Sequence, residues 1–116
     1  MLEATSTARI VMTTVASAEE AARLGRTLVE ERLAACATIL PAIHSIYRWQ
    51  GKIESSDETL LLLKTATDQL PALESRLREL HSYETPECLV IEIGAGSQSY
   101  LKWLSENLGA QPGTKV

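Results

Sequence analysis

The sequence predicts a mixed α+β fold, a ferredoxin-like βαββαβ sandwich with a long hairpin between its second and third strands and a C-terminal helix. The strand and helix patterns follow the order β-α-β-β-α-β, which is the split βαβ arrangement. Residues 31–65 read as two extended arms of about 14 residues around one tight turn, against roughly 5 or 6 residues for an average strand. Because a partly apolar, overhanging ribbon leaves strand edges free to pair, we expect the chain to assemble with copies of itself.

The first strand and helix are predicted from local patterns. Arg9–Val15 is rich in β-branched residues and is typical of a strand. Ser17 is followed three positions later by Glu20, which predicts a capping box at a helix start. The helix should cover residues 18–32, with one apolar face. That face contains Ala21, Leu24, Leu28 and Val29.

The long ribbon contains three features that predict its shape. Pro41 cannot donate a ladder hydrogen bond, so it indicates an edge position or a bulge. The turn should be Trp49–Lys52, where Gly51 can adopt a positive φ. Ser55–Asp57 interrupts the return arm and predicts a bend or bulge. The continuous apolar run Thr59–Thr65 then favours a central strand that is covered on both faces.

The rest of the chain supplies a second helix, a loop, a last strand and a short terminal helix. Asp68 should open the second helix, with Pro71 tolerated in its first turn. Leucines at 70, 73, 77 and 80 give this helix an apolar stripe. The following elements are the loop His81–Glu87, the strand Leu89–Ile93 and a helix Tyr100–Leu108 that ends at Gly109.

Length and composition predict one domain that covers residues 1–116, with a core of about 9–108 and flexible termini. The net charge of −4 argues against a nucleic-acid partner, which would require a clustered basic face. No apolar run reaches the roughly 20 residues of a membrane helix. We find no basic segment followed by an apolar one at the N-terminus, so we predict a cytoplasmic protein without a membrane partner.

The two cysteines, Cys36 and Cys88, lie in apolar strand patterns and form no CxxC pair. They are expected to be reduced, buried and inert, because free cysteine is among the most buried residue types. A thiolate at Cys36 would also suit Cu(I) or Zn. No residue next to it in sequence would activate it.

Candidate chemistry is concentrated in the loop after the second helix. His81, Tyr83, Glu84 and Glu87 could form a ligand- or metal-binding corner, or they could be a polar loop that caps the preceding helix. Lys64 ends a four-leucine run, so it should reach solvent or pair with an opposite charge, including one on another subunit. Glu58, with Lys52 and Glu54, should be solvated or form intersubunit ion pairs. No nucleophile–base–orienter set is evident, so no catalytic residue and no enzyme activity are predicted.

Several motifs in the same order resemble the CutA divalent-cation tolerance proteins. They are Arg32–Pro41, Ser45–Glu54, Leu63–Thr65, Leu80–Glu87 and Tyr100–Trp103. The resemblance extends from about Arg9 to Leu108. It implies a homotrimer, similar in architecture to the PII signalling proteins, whose long hairpins reach across to neighbouring subunits. It also implies tolerance of copper and other divalent cations, and copper binding, with no catalysed reaction.

The resemblance further implies where ligands would bind. The family's polar cluster at subunit contacts corresponds here to Trp49, Lys64, His81, Tyr83, Glu84 and Glu87. His81 and Cys36 are the expected ligands for copper or another divalent cation, and no organic cofactor is implied. Some family members carry an additional cysteine and histidine where this chain has Thr13 and Leu80, which weakens an inherited copper site. The alternatives are a small-molecule sensor or protein-interaction module that uses intersubunit clefts, and an assembly scaffold without a ligand.

Overall fold

The computed structural model of the protein describes residues 1–109, which form a mixed α+β fold as the sequence predicts. The larger sheet is antiparallel, with strand order β3-β4-β2-β5, and β1 pairs with β6 in a separate two-stranded sheet. The strands are β1 (Leu2–Ala4), β2 (Ala8–Val15), β3 (Cys36–Trp49), β4 (Lys52–Ala66), β5 (Leu89–Glu92) and β6 (Ala95–Ser97). The α-helices are α1 (Ala18–Glu30), α2 (Leu70–Leu80) and α3 (Gln98–Glu106).

The long ribbon is the hairpin of β3 and β4, whose arms contain 14 and 15 residues. Trp49 pairs with Lys52 across a two-residue turn in which Gln50 and Gly51 have φ values of 50° and 80°. Two successive positive φ angles are typical of a turn that matches the twist of a hairpin. The predicted turn is therefore confirmed.

The bulge lies on the first arm only. The register shifts between Leu40 and Ile43, and Ala42 there has a φ of 62°, so the prediction at Pro41 is confirmed. The predicted bend at Ser55–Asp57 is wrong, because these residues continue the ladder without a shift. Asp57 pairs with His44, whose Nδ1 lies 2.9 Å from a carboxylate oxygen, so a polar cross-strand contact supports this segment.

The main core lies between one face of the sheet and the helices α1 and α2. Alternate residues of β2 and β4 point into it, and the helices contribute leucines. Gly25 of α1 is required by this packing, since a Cβ atom there would lie 2.8 Å from the Cβ of Ala37. The buried members of the core include Val11, Val15, Leu24, Leu28, Leu61, Leu63, Leu73 and Leu77.

The opposite face of the sheet is only partly covered. Leu104 of α3 packs on Ala8 and Ala35 at one end of this face. Beyond that end, nothing in the described chain covers the second face of the run Thr59–Thr65. The prediction that both faces of this run are covered therefore holds for only one face within a single chain. The ladder places an apolar set of side chains on this open face. We call this set the open-face patch, and it consists of Ile10, Met12, Leu40, Leu60, Leu62, Leu89 and Ile91.

Element boundaries differ from the predictions by a few residues. Arg32, predicted to be helical, has a φ of 62°, and α1 ends at Glu30. A 3-10 turn at Thr67–Gln69 precedes α2, and β6 forms within a segment that was expected only to break the last strand. The tail predicted to fray, residues 110–116, lies outside the described residues. Of the helices in residues 1–109, none is both long and apolar enough to cross a membrane.

Candidate binding sites on both sides of the sheet

His81 follows α2 and points into the protein, with a side chain that is 0% exposed. Its Nε2 lies 2.9 Å from the carbonyl oxygen of Thr14, and the backbone N–H of Tyr83 donates to its Nδ1 at 3.0 Å. A carbonyl oxygen can only accept, so we assign the proton to Nε2 and the free lone pair to Nδ1. Both ring nitrogens are thus engaged, and a metal ion could bind His81 only by displacing one of these partners.

Glu20 of α1 anchors the same loop. Its carboxylate accepts a hydrogen bond from the backbone N–H of Ser82 at 3.0 Å and one from the Ser82 hydroxyl at 2.9 Å. Burial by itself raises the pKa of the Glu20 carboxyl, but the hydrogen bonds from Ser82, together with the nearby His81 and a backbone hydrogen bond from Ala16, outweigh it, and the net pKa falls below 4.5. His81 Nδ1 lies 3.9 Å from this carboxylate, and it accepts the hydrogen bond of the Tyr83 N–H and does not donate one to Glu20.

Tyr83 connects the loop to the hairpin. Its hydroxyl donates to a carboxylate oxygen of Glu58 at 2.7 Å. Burial, followed by the hydrogen bond and charge of Glu58, raises the pKa of the Tyr83 phenol. Burial and the charge of Glu58 also raise the pKa of Glu87. Tyr83, Glu58 and Glu87 therefore form an oxygen-rich corner beside the proximal part of the hairpin.

A second cluster surrounds Cys36 at the start of β3. Cys36 pairs directly with Lys64 across the ladder, and Lys64 Nζ lies 3.6 Å from the sulfur. The same ammonium group donates to the hydroxyl of Thr38, whose oxygen lies 3.8 Å from Cys36 Sγ. Because Lys64 alternates with the buried Leu63, this cluster belongs to the open face of the sheet.

The structure separates the predicted site residues within one chain. His81 contacts Thr13 on the helix-covered face, whereas Cys36 lies on the open face, so these two expected metal ligands are not adjacent. Lys64 is six residues from Glu58 along β4, a separation of roughly 20 Å. Trp49, 52% exposed, stands at the hairpin tip, and Glu84 is exposed. Residues 1–109 contain no group of three His, Cys, Asp or Glu side chains that could hold a metal ion.

The sequence reading missed the roles of Glu20 and Glu58. Glu20 was interpreted only as a capping-box partner; Ser17 does accept from the Glu20 N–H at 3.1 Å, but the Glu20 carboxylate bonds to Ser82. One signal was available, since Glu20 lies four residues before Leu24 on the apolar face of α1. Glu58, predicted to be solvated or in an intersubunit ion pair, instead accepts from Tyr83, which lies 25 residues away in sequence.

The two cysteines are half-buried, not fully buried as predicted. Cys36 begins β3, but Cys88 precedes β5 and does not lie within a strand. Burial and then the charge of Glu74 raise the pKa of the Cys88 thiol. The two thiols therefore have opposite electrostatic surroundings, since Cys36 faces an ammonium group and Cys88 a carboxylate.

Known proteins with this fold are similar over nearly the whole chain. The model of the CutA1 divalent ion tolerance protein family matches residues 9–107. A divalent-cation tolerance protein of Thermus thermophilus is 48% identical over 100 residues, which is 86% of this chain and 97% of that protein. A chloroplastic CutA of Arabidopsis thaliana is 39% identical over 84% of this chain and 54% of its own length.

Solved structures agree with this relationship. The structure of CutA from Synechococcus elongatus has a TM-score of 0.90 and 42% identity, and the match covers 94% of this chain and 96% of that one. The similar proteins are named for tolerance of divalent cations and not for a catalysed reaction. Fold and sequence thus define an α+β divalent-cation tolerance protein. The chain belongs to the CutA1 divalent ion tolerance protein family.

Proposed function

We propose that this protein is a homotrimeric divalent-cation tolerance protein that binds copper or another divalent ion weakly at sites between subunits, without catalysing a reaction. The single observation that carries the proposal is the open-face patch, a row of apolar side chains on a sheet that one chain leaves half covered. The ferredoxin-like description belongs to the same proposal and is supported by the strand order β3-β4-β2-β5.

Apolar exposure on this protein is concentrated where another copy could cover it. On β5, Leu89 is 52% exposed and Ile91 is 41% exposed, because both point to the open face beside β2. On the hairpin, Ile46 and Ile53 are 71% and 62% exposed. The exposed apolar side chains of the open-face patch mark an interaction site, and the two exposed isoleucines of the hairpin lie on the opposite face of the ribbon. The distal part of β4, before Thr59, also has no β2 partner and leaves a strand edge free.

The proposed metal site is incomplete in one chain, and this supports placing it between subunits. Cys36 offers a sulfur, and Glu58 and Glu87 offer carboxylate oxygens. The sulfur lies at the Lys64 end of the sheet, far from the corner that holds the two carboxylates. His81 would contribute only after losing its bond to Thr14 or Tyr83. A neighbouring copy that brings its hairpin, with Trp49, to the Lys64 end of the sheet would combine residues that a single chain keeps distant. Weak affinity follows, because engaged or distant ligands must be rearranged first.

Assembly is tested by sedimentation and native mass spectrometry of the full chain over a dilution series. We expect a mass of three chains that persists on dilution. A well-folded single chain would contradict the assembly and the sites between subunits together.

Metal binding is tested by anaerobic calorimetric titration of copper into the wild type, Cys36→Ser and His81→Ala. The chain provides matched controls, since His44 and Cys88 are its other histidine and cysteine. We expect Cys36→Ser and His81→Ala to reduce the heat of binding, and His44→Ala and Cys88→Ser to leave it unchanged. Equal heats for His81→Ala and the wild type would show that His81 is not a copper ligand. A wild-type titration without any heat of binding would contradict the proposed metal binding.

A second candidate function is a small-molecule sensor that uses the same intersubunit clefts. It is favoured by one observation, a structure of the Synechococcus elongatus CutA described as complexed with a Bis-Tris molecule. On this chain, the oxygen-rich corner of Tyr83, Glu58 and Glu87 would suit a cationic or polyol ligand. Thermal-shift measurements with Bis-Tris, wild type against Glu87→Gln, would separate this candidate from a protein that binds metal alone. The cytoplasmic location stays a prediction, since similar proteins are described as chloroplastic and as periplasmic.

A further inference from the structure

We propose that the cavity between strand β1 and helix α3 binds a small zwitterion, namely a free α-amino acid with an aliphatic side chain. The cavity has a volume of about 350 Å³, which is within the range of roughly 300–1,000 Å³ for sites that take small molecules. Its described lining includes neither Cys36 nor His81. The inference therefore does not depend on the proposed metal binding.

The cavity exists because the first residues of the chain pair with a segment near its end. β1 pairs with β6, with Glu3 opposite Gly96, and the Gln98 N–H donates to the Met1 carbonyl oxygen at 3.0 Å. This pairing holds β1 beside α3. One face of α3 forms the facing wall, and its lining residues are Gln98, Leu101, Lys102 and Ser105. Since the matching family model begins at residue 9, β1 lies outside the region that it matches, and family membership does not imply this site.

The floor of the cavity is apolar. Ala8 and Leu104 line it, are 2% and 4% exposed, and belong to the smaller core cluster. Leu101 packs against the same cluster, and Ala66 adds a further methyl group from the end of β4. A ligand with a branched aliphatic side chain would bury that side chain on this floor, and the removal of its apolar surface from water favours binding.

Two opposite charges line this one cavity. Glu3 lies on the β1 wall and Lys102 on the α3 wall, and both residues are exposed. Among residues 1–109, neither forms an ion pair with the other or with a third residue. A ligand that carries an ammonium and a carboxylate group on one carbon atom complements both charges. A ligand with only one of these groups leaves one wall without a partner.

Two hydroxyl groups at the cavity retain hydrogen-bonding capacity for such a ligand. The Thr5 oxygen accepts from the N–H groups of Thr7 and Ala8, at 3.3 and 3.2 Å, so its proton is available to a carboxylate. The Ser105 hydroxyl donates to the carbonyl oxygen of Lys102 at 3.0 Å, so its own oxygen is available to an ammonium group. The cavity therefore offers a neutral donor and a neutral acceptor in addition to its two charges.

The experiment is titration of the full-length protein with L-leucine, followed through the NMR chemical shifts of the backbone amides. Two matched probes keep the branched side chain and lack one charged group each, since isocaproate has no ammonium group and isoamylamine has no carboxylate. We expect saturable shifts for residues 3–8 and 98–105, and an affinity for leucine at least about tenfold higher than for either probe. Equal affinities for the three molecules, or no saturable shift at the cavity, would overturn the proposal.

Variants assign the two ends of the ligand. Lys102→Met should weaken binding of leucine and isocaproate about tenfold and leave isoamylamine unchanged, because only the first two carry a carboxylate. Glu3→Gln should weaken leucine and isoamylamine and leave isocaproate unchanged. Glu106→Gln, on the same helix but outside the cavity, is the control and should leave all three affinities unchanged. An equal loss for all three molecules in Lys102→Met or Glu3→Gln would show that the residue does not bind a charged group, and would contradict the proposal.

Discussion

Glu20 of α1 holds Ser82 with both of its carboxylate oxygens, through bonds of 3.0 Å from the backbone N–H and 2.9 Å from the hydroxyl. This contact fixes the loop after α2 to the first helix, 62 residues earlier in sequence. His81 then reaches Thr14 of β2 from the same loop. His81, which the sequence singled out as part of a ligand-binding corner, therefore owes its position to a partly buried network that one chain completes by itself.

Glu20→Gln should destabilise the protein by about 2 kcal/mol at neutral pH, because a charge-assisted pair of hydrogen bonds becomes a weaker neutral one. Urea denaturation at a fixed protein concentration measures this loss. The adjacent, exposed Glu19 is the control, and Glu19→Gln should have little effect.

The pH dependence of stability should change in the same variant. The pKa of Glu20 is lowered in the folded state, so its carboxylate stabilises the fold above the unfolded pKa near 4.5, and this contribution disappears as pH falls through the folded pKa. The wild type should therefore lose more stability on acidification below about pH 4.5 than Glu20→Gln does. Parallel curves for the two proteins would show that the Ser82 bonds do not depend on the charge of Glu20.

The contribution of Glu87 to stability should depend on pH in the opposite direction to that of Glu20. Burial, and then the charge of Glu58, raise its pKa in the folded state, so its contribution is most favourable below pH 4.5 and decreases as pH rises through the raised value. We expect Glu87→Gln to stabilise the protein at neutral pH and to flatten the decline above about pH 4.5. Denaturant midpoints across this range test it, with Glu84→Gln as the exposed control in the same loop. A loss of stability at neutral pH would mean that the Glu87 charge has a partner.

Arg32 should prove to be the residue that joins α3 to the end of α1. Its Nε donates to the carbonyl of Gly109 at 2.7 Å and its Nη2 to that of Glu106 at 2.8 Å, while its backbone has a φ of 62°. Arg32→Ala loses both bonds and keeps the unfavourable φ, and should cost about 2–3 kcal/mol. Arg32→Gly loses the same bonds but removes the left-handed penalty of about 1 kcal/mol, so it should be the milder variant. A melting temperature of Arg32→Gly that is lower than that of Arg32→Ala would contradict this account.

Sequence patterns predicted the hairpin well because its determinants are local. A turn glycine, a proline that cannot donate and two long arms decide its course, and the turn and the bulge lie where those residues are. The bend at Ser55–Asp57 failed for the opposite reason. Three polar residues ordinarily interrupt a strand, but here they face residues of the first arm in an exposed two-stranded ribbon, where no core excludes them.

The candidate sites were harder to predict, because each joins residues that are distant in sequence. Cys36 and Lys64 are 28 residues apart, and only the hairpin register, which includes the one-residue shift at Pro41 and Ala42, makes them neighbours. Glu58 similarly meets Tyr83 across the gap between sheet and loop. Strand β1 was not predicted, because its three residues show no strand pattern. It forms only through its backbone hydrogen bonds to β6, which lies more than 90 residues later in sequence.

The last prediction separates folding from assembly through two adjacent leucines. Leu61 is 0% exposed in the core under α1, whereas Leu62 points to the open face and belongs to the open-face patch. An unpaired charge in the core costs several kcal/mol, so Leu61→Glu should prevent folding. Leu62→Glu places its charge on a surface that only another copy would bury, and should give a folded chain that no longer assembles. Circular dichroism with sedimentation distinguishes these results, and a Leu62→Glu protein with unchanged mass and melting temperature would show that subunits do not meet at this face.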